Sequence, residues 1–136
     1  MKSLVSKPVH LPSPHPTLAN ASPDATGSQT ATKAIIDIYD IFGPAPQTLQ
    51  GADLLAQALN ALVLVPDFLE GEYAQGAWFH NPTEEQAKLK SAFMARAGKF
   101  GELVQKLGKV VEEGKEKWAG VKGWGTFGLC WGGKVS

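Results

Sequence analysis

The 136-residue chain has a single cysteine, Cys130, at the centre of Gly128-Leu129-Cys130-Trp131-Gly132. The order Gly-x-nucleophile-x-Gly suits a sharp strand-to-helix turn. The central side chain stands out at the top of a sheet, and the flanking residues must be small so that the backbone can turn and the next helix can pack closely. With a thiol in the central position, the chemistry is nucleophilic attack on an activated carbonyl, giving a thioester. A helix starting just beyond the sulfur favours thiolate over thiol. A lone pentapeptide of this form has low specificity and gains some only behind a strand in an alternating β/α chain. One cysteine also excludes an intramolecular disulfide framework and a multi-cysteine zinc site.

The elements that must position this turn can be read along the chain. Residues 34–39 form a β-branched run ending before Phe42-Gly43-Pro44, which predicts a strand buried on both faces and interrupted by Asp37. Residues 48–59 carry Ala52, Leu55, Ala56 and Leu59 at helical spacing, with Asn60 as a stop. Leu62–Val65, closed by Pro66-Asp67, predicts a second buried strand, followed by an aromatic loop over residues 67–80. Thr83-Glu84-Glu85-Gln86 fits a capping box and opens a helix with Leu89, Phe93 and Met94 on one side. A further helix carries Phe100, Leu103, Val104, Leu107, Val110 and Val111 at steps of three and four, weakened where Gly101, Gly108 and Gly114 fall in its interior. Residues 124–129 predict a third strand running into Cys130. Strand, helix, strand, helices, strand is the alternation of an α/β fold with a parallel three-stranded core sheet and flanking helices, the 34–39 strand lying between the other two.

Residues 1–32 differ from the rest. They hold five of the nine prolines, no aromatic residue and three charged side chains, so they lack the apolar surface to offset the entropy of ordering. They read as a disordered, Pro-rich leader without the apolar core of a secretory signal or the arginines of a transit peptide. His10 and His15 lie there without acidic or thiol neighbours at ligand spacing, so no metal is expected. Across the chain, 13 Lys and Arg balance 13 Asp and Glu. Neutrality argues against a nucleic-acid groove or a basic membrane-surface patch. The longest apolar run, residues 61–66, falls far short of the ~20 needed to span a membrane. The expectation is a soluble, cytoplasmic protein with neither nucleic acid nor membrane as partner.

Four blocks in order resemble the dienelactone hydrolase family, its fungal-type branch in particular. They are Tyr39-Asp40-Ile41-Phe42-Gly43; Pro46-Gln47-Thr48-Leu49-Gln50-Gly51-Ala52-Asp53; Pro66-Asp67-Phe68 with Glu70-Gly71; and Gly128-Leu129-Cys130-Trp131-Gly132-Gly133-Lys134. They span residues 33–136, about three quarters of the chain. The resemblance implies an α/β-hydrolase fold and hydrolysis of small-molecule lactones or esters by a cysteine nucleophile with Asp and His partners, without metal or organic cofactor. It implies Cys130 as nucleophile, flanked by the elbow glycines Gly128 and Gly132. The backbone N–H groups of Ile41 and Trp131 would be the oxyanion donors. Asp40 matches an acidic position that interacts with the resting thiol, although bacterial members carry Glu there; turn chemistry before Gly43 is its other reading. Trp78 and Phe79 read equally as lining for an apolar pocket or as cover for the sheet. His80 precedes Cys130, whereas this fold orders its triad nucleophile, acid, histidine, so it reads as a turn residue before Asn81-Pro82.

No Asp, Glu or His follows Cys130 in this sequence. The 33–136 segment is therefore expected to be the N-terminal half of such a domain: a fragment, a product of a mispredicted gene or a degenerate paralogue, with little turnover of its own. Its last strand would leave an open sheet edge that favours self-association. The alternative function is that of a non-catalytic, thiol-bearing binding or redox-responsive protein.

Overall fold

The computed structural model describes residues 24–28 and 30–136. The part of the Pro-rich segment before residue 24, with His10 and His15, lies outside the described residues. The elements run β1 (Asp24–Thr26), β2 (Lys33–Ile38), α1 (Pro46–Leu59), β3 (Leu62–Val65), a 3₁₀ turn (Gly76–Phe79), α2 (Glu84–Ala97), α3 (Phe100–Lys117), β4 (Gly123–Gly128) and α4 (Trp131–Val135).

The class is α/β, but the sheet is mixed and has four strands, in the order β1-β3-β2-β4. The three strands expected from the sequence are present, parallel and in the expected order, with β2 in the middle. The addition is β1, which pairs antiparallel with β3, Ala25 opposite Leu64. Three residues are too few to show a periodic pattern, so nothing in the composition of residues 1–32 marked it. β4 pairs with β2 alone, from Lys33 opposite Gly123 to Ile38 opposite Gly128. It is the sheet's other edge.

Local chemistry accounts for the helix ends. α1 starts at Pro46 rather than Thr48, because a proline at the first helical position sacrifices no hydrogen bond. It stops where Asn60 turns left-handed at φ 49°. At α2, the Gln86 N–H donates to Thr83 Oγ1 at 3.1 Å and the Thr83 N–H to Gln86 Oε1 at 2.9 Å, completing the capping box. Of the three apolar residues placed on one side of α2, only Phe93 is buried; Leu89 and Met94 are about half exposed. On α3, Leu103 and Val110 are buried while Val104 is exposed.

Gly114 has a packing role beyond weakening α3. A Cβ there would run into the indole of Trp124 on β4, so the missing side chain lets the helix approach the strand closely. Ala34, Leu62, Leu64 and Trp118 form one buried cluster with Trp124 packed against it. The larger cluster joins Ile36, Ile38, Val63, Val65, Phe68, Phe93, Leu103, Val110 and Trp131.

Candidate functional site

Cys130 sits between β4 and α4 with its side chain exposed. Its backbone has φ 57° and ψ −121°, a conformation that costs a non-glycine residue ~1–3 kcal/mol and persists only where its surroundings hold it. Two glycines do so. A Cβ on Gly128 would overlap the carbonyl of Gly132, and a Cβ on Gly132 would overlap the carbonyls of Ile38 and Tyr39. The first turn of α4 therefore lies directly on the end of β2. The Gly132 N–H donates to Leu129 O at 3.0 Å and closes the turn.

The side chain after the nucleophile fixes this turn from the other direction. Trp131 is 8% exposed and its Nε1 donates to Ala97 O at 2.7 Å, tying α4 to the end of α2. Tyr39 stacks on the indole with centroids 6.2 Å apart and planes at 15°, and Phe100 meets it at 6.4 Å.

Tyr39 belongs to a second network that sequence reasoning did not single out. Its hydroxyl donates to Asp67 Oδ1 at 2.6 Å and accepts from the Leu69 N–H at 2.7 Å. The Tyr73 hydroxyl donates to Asp67 Oδ2 at 2.9 Å. Burial and the bond to the Asp67 carboxylate push the Tyr39 phenol well above its ordinary range, so it stays protonated and donates. The pairing of a tyrosine at a strand end with Asp67 after the next strand carries no local spacing signal, and it became visible only in three dimensions.

Because Ile38 lies opposite Gly128, the segments that follow, with Asp40 and Ile41 on one side and Cys130 and Trp131 on the other, leave the same edge of the sheet. Ile41 O accepts from the Ala74 N–H at 2.9 Å, while its own N–H has no acceptor among the described residues. Trp131 is the first residue of α4, where N–H groups lack intrahelical acceptors. Asp40 Oδ1 accepts from the Phe42 N–H at 2.9 Å, and Asp40 O from the Gly43 N–H at 3.1 Å. Its carboxylate is thus engaged in the turn, and no hydrogen bond among the described residues joins it to the thiol.

Trp78 and Phe79 are not among the residues lining the two cavities described below. Trp78 packs against Phe93 at 5.8 Å and joins the core; Phe79 meets Phe42 at 5.8 Å and carries Lys90 Nζ 4.3 Å above its ring. His80, exposed, follows the 3₁₀ turn, its N–H donating to Ala77 O at 3.5 Å. Among the described residues, no three of His, Cys, Asp and Glu converge as a metal site would require.

Two cavities stand out. A small one of about 190 Å³ between the loop after β3 and helices α2 and α3 is ringed by charge, with Arg96 2.7 Å from Glu72 and Lys106 3.2 Å from Glu70. The other, of about 600 Å³, is a groove between α1 and the faces of β2 and β4, bordered by Leu54, Leu55, Phe127 and Leu129, with Asp37 in its wall and Asp40 at the strand ends. The Asp37 side chain interrupts an otherwise apolar strand, and burial pushes its carboxyl up to about 6.

Three curated proteins resemble this chain. Two are uncharacterized AIM2 family proteins of Schizosaccharomyces pombe, 37% identical over 109 residues and 36% over 110, matching 80% and 81% of this chain but 43% and 44% of their own lengths. The third is named an endo-1,3;1,4-beta-D-glucanase of Zea mays, 31% identical over 119 residues, 82% of this chain and 32% of its own. The chain thus spans less than half the length of each of these relatives. No family model matches it, and no solved structure does. Among the described residues, no helix is long and apolar enough to cross a membrane.

Proposed function

We propose that this chain is the nucleophile-bearing half of a dienelactone hydrolase-type α/β-hydrolase, acting on lactones or carboxylic esters through Cys130. The observation that carries this reading is the strained backbone of Cys130, presented between two glycines that touch carbonyls on either side. In the proposed reaction the sulfur attacks the ester carbonyl carbon, the C–O bond to the alcohol breaks, and the departing alcohol takes up the thiol proton. The N–H groups of Ile41 and Trp131 are the proposed donors to the oxyanion, Asp40 the proposed acidic partner of the resting thiol.

The Zea mays relative is named for cleaving a glucan, a hydrolysis that calls for two carboxyl groups facing one bond across about 5–9.5 Å. Beside Cys130 the carboxylate nearest in sequence along the adjoining strand end is Asp40, already held by the Phe42 N–H. Acyl transfer therefore fits these residues better than glycoside cleavage.

Deacylation needs a general base, and no acid or histidine follows Cys130 in this sequence. The 136-residue protein mixed with p-nitrophenyl acetate should release about one equivalent of nitrophenolate and then stop, with the acetyl group on Cys130 by mass spectrometry. In hydrolases with a full triad, removing one member costs roughly 10⁴ or more in kcat. Sustained hydrolysis lost in Cys130→Ala would show that a base is recruited. No acylation at all would favour a non-catalytic, thiol-bearing protein. Self-association through the β4 edge belongs to the same proposal and would appear in sedimentation as a concentration-dependent dimer.

A further inference from the structure

The turn over residues 40–43 is held from outside by one short segment of the loop after β3. Within the turn, the Phe42 N–H donates to Asp40 Oδ1 at 2.9 Å and the Gly43 N–H to Asp40 O at 3.1 Å, which leaves the Ile41 N–H without an acceptor among the described residues. Asp40 O and the Ile41 N–H belong to one trans peptide plane and point in opposite directions, so whatever fixes that carbonyl also aims that amide. The carbonyl is fixed by Gly43. At φ 79°, Gly43 lies so close to the Tyr73 ring that a Cβ there would overlap it. The Ala74 N–H, next in the chain, donates to Ile41 O at 2.9 Å and holds the following peptide. Tyr73 is itself anchored: its hydroxyl donates to Asp67 Oδ2 at 2.9 Å, and its ring meets Tyr39 edge-on with centroids 5.9 Å apart.

We infer that Tyr73 is a positioning residue for acyl transfer at Cys130: its ring seats Gly43 and, through the Asp40–Ile41 peptide, orients the Ile41 N–H. The inference rests on the reaction proposed above and adds to it a residue that lies outside the four sequence blocks, between Gly71 and the 3₁₀ turn. Tyr73 acts through the backbone and not on the substrate. An oxyanion donor contributes only when it is aimed at the oxygen that becomes negative, and a misplacement of about 1 Å can cost roughly 10²-fold in rate. A ring that only filled space would be replaced as well by any side chain of similar bulk, and its loss would affect every reaction of the thiol alike. A ring that aims one amide matters only to reactions that use that amide.

The test compares two reactions of the same sulfur in the whole 136-residue protein. One is acylation by p-nitrophenyl acetate, read as the rate of the nitrophenolate burst; the other is alkylation by iodoacetamide. Acylation builds an oxyanion that the Ile41 N–H would stabilise, whereas displacement of iodide from a saturated carbon builds none. Tyr73→Ala should slow acylation about tenfold and leave alkylation within about twofold of the parent. Tyr73→Phe keeps the ring against Gly43 and should return acylation to near the parent rate. Tyr73→Leu keeps apolar bulk without a flat ring, so acylation should stay slow, and it carries the test if Tyr73→Ala does not fold. Tyr39 keeps its own bond to Asp67 in each variant, so the support of Trp131 is left in place. Equal slowing of both reactions, unchanged acylation in Tyr73→Ala, or Tyr73→Leu as fast as Tyr73→Phe would each overturn the inference and leave the proposed function standing. A parent protein that iodoacetamide alkylates but the ester never acylates would overturn both, and that result is read before any variant is made.

Discussion

The two flanks of the sheet are finished to different degrees. Toward α2 and α3, the helices close over the strands so tightly that Gly114 must lack a side chain to clear Trp124, and Trp131 is held by Tyr39, Phe100 and the Ala97 carbonyl. Toward α1, the helix buries Ala52 and Ala56 while Leu54 and Phe127 remain exposed beside an unpaired Asp37. The edges differ likewise, since β3 is covered by β1 while β4 has only β2. The elbow lies at the junction. Its glycines lie against the end of β2 and its Trp131 is held by the finished flank, while Cys130 itself is exposed.

The largest effect should come from the finished flank. Trp131→Ala deletes a buried indole and its hydrogen bond, which costs ~3–5 kcal/mol, and Leu54→Ala on the other flank should cost less than ~0.5 kcal/mol. Thermal denaturation of the two variants side by side measures the asymmetry; equal losses would erase the distinction between the flanks.

Asp67→Asn should follow in size. The Asp67 carboxylate accepts from both Tyr39 and Tyr73, and bonds to charged groups contribute ~1.5–3 kcal/mol, so the variant should lose about 2 kcal/mol in urea unfolding. Tyr39 also stacks on Trp131, so the same variant should change the alkylation rate of Cys130. An unaltered thiol rate would separate this network from the elbow.

What the sequence revealed and what it hid follow the same division. Elements that a neighbour closes were legible: Leu62–Val65 from its apolar run, the α2 start from Thr83 and Gln86, the α1 stop from Asn60, the turn at Cys130 from its glycines. Interactions between residues far apart in sequence were not. Asp67 reads as part of a turn until Tyr39 and Tyr73 are seen to converge on it, and Gly114 reads as a helix weakener until Trp124 is seen beneath it. Asp40 has two readings from its neighbours alone, and the geometry shows only the turn bond. Asp37 was visible as an interruption in an apolar strand, but whether it is paired depends on elements that the strand itself cannot specify.

The smallest effect, and the one that isolates the unfinished flank, is the pH dependence due to Asp37. Burial raises its carboxyl from 3.8 to about 6 in the folded protein. Between those values the unfolded chain has ionised while the folded one still holds its proton, so the folded state binds more protons and stability falls as pH rises through this window. Below it both states are protonated and the group is neutral in effect; above it the full penalty is present. Asp37→Asn removes the titration. It should therefore stabilise the protein at pH 7.5 by about 1 kcal/mol, allowing for solvent reaching the carboxyl from the groove. Near pH 4 the two proteins should unfold at nearly the same urea concentration, and their midpoints should separate progressively up to pH 6 and then run parallel. A variant less stable than the parent at neutral pH would mean that Asp37 is paired after all, and the flank would be finished in a way the free protein does not show.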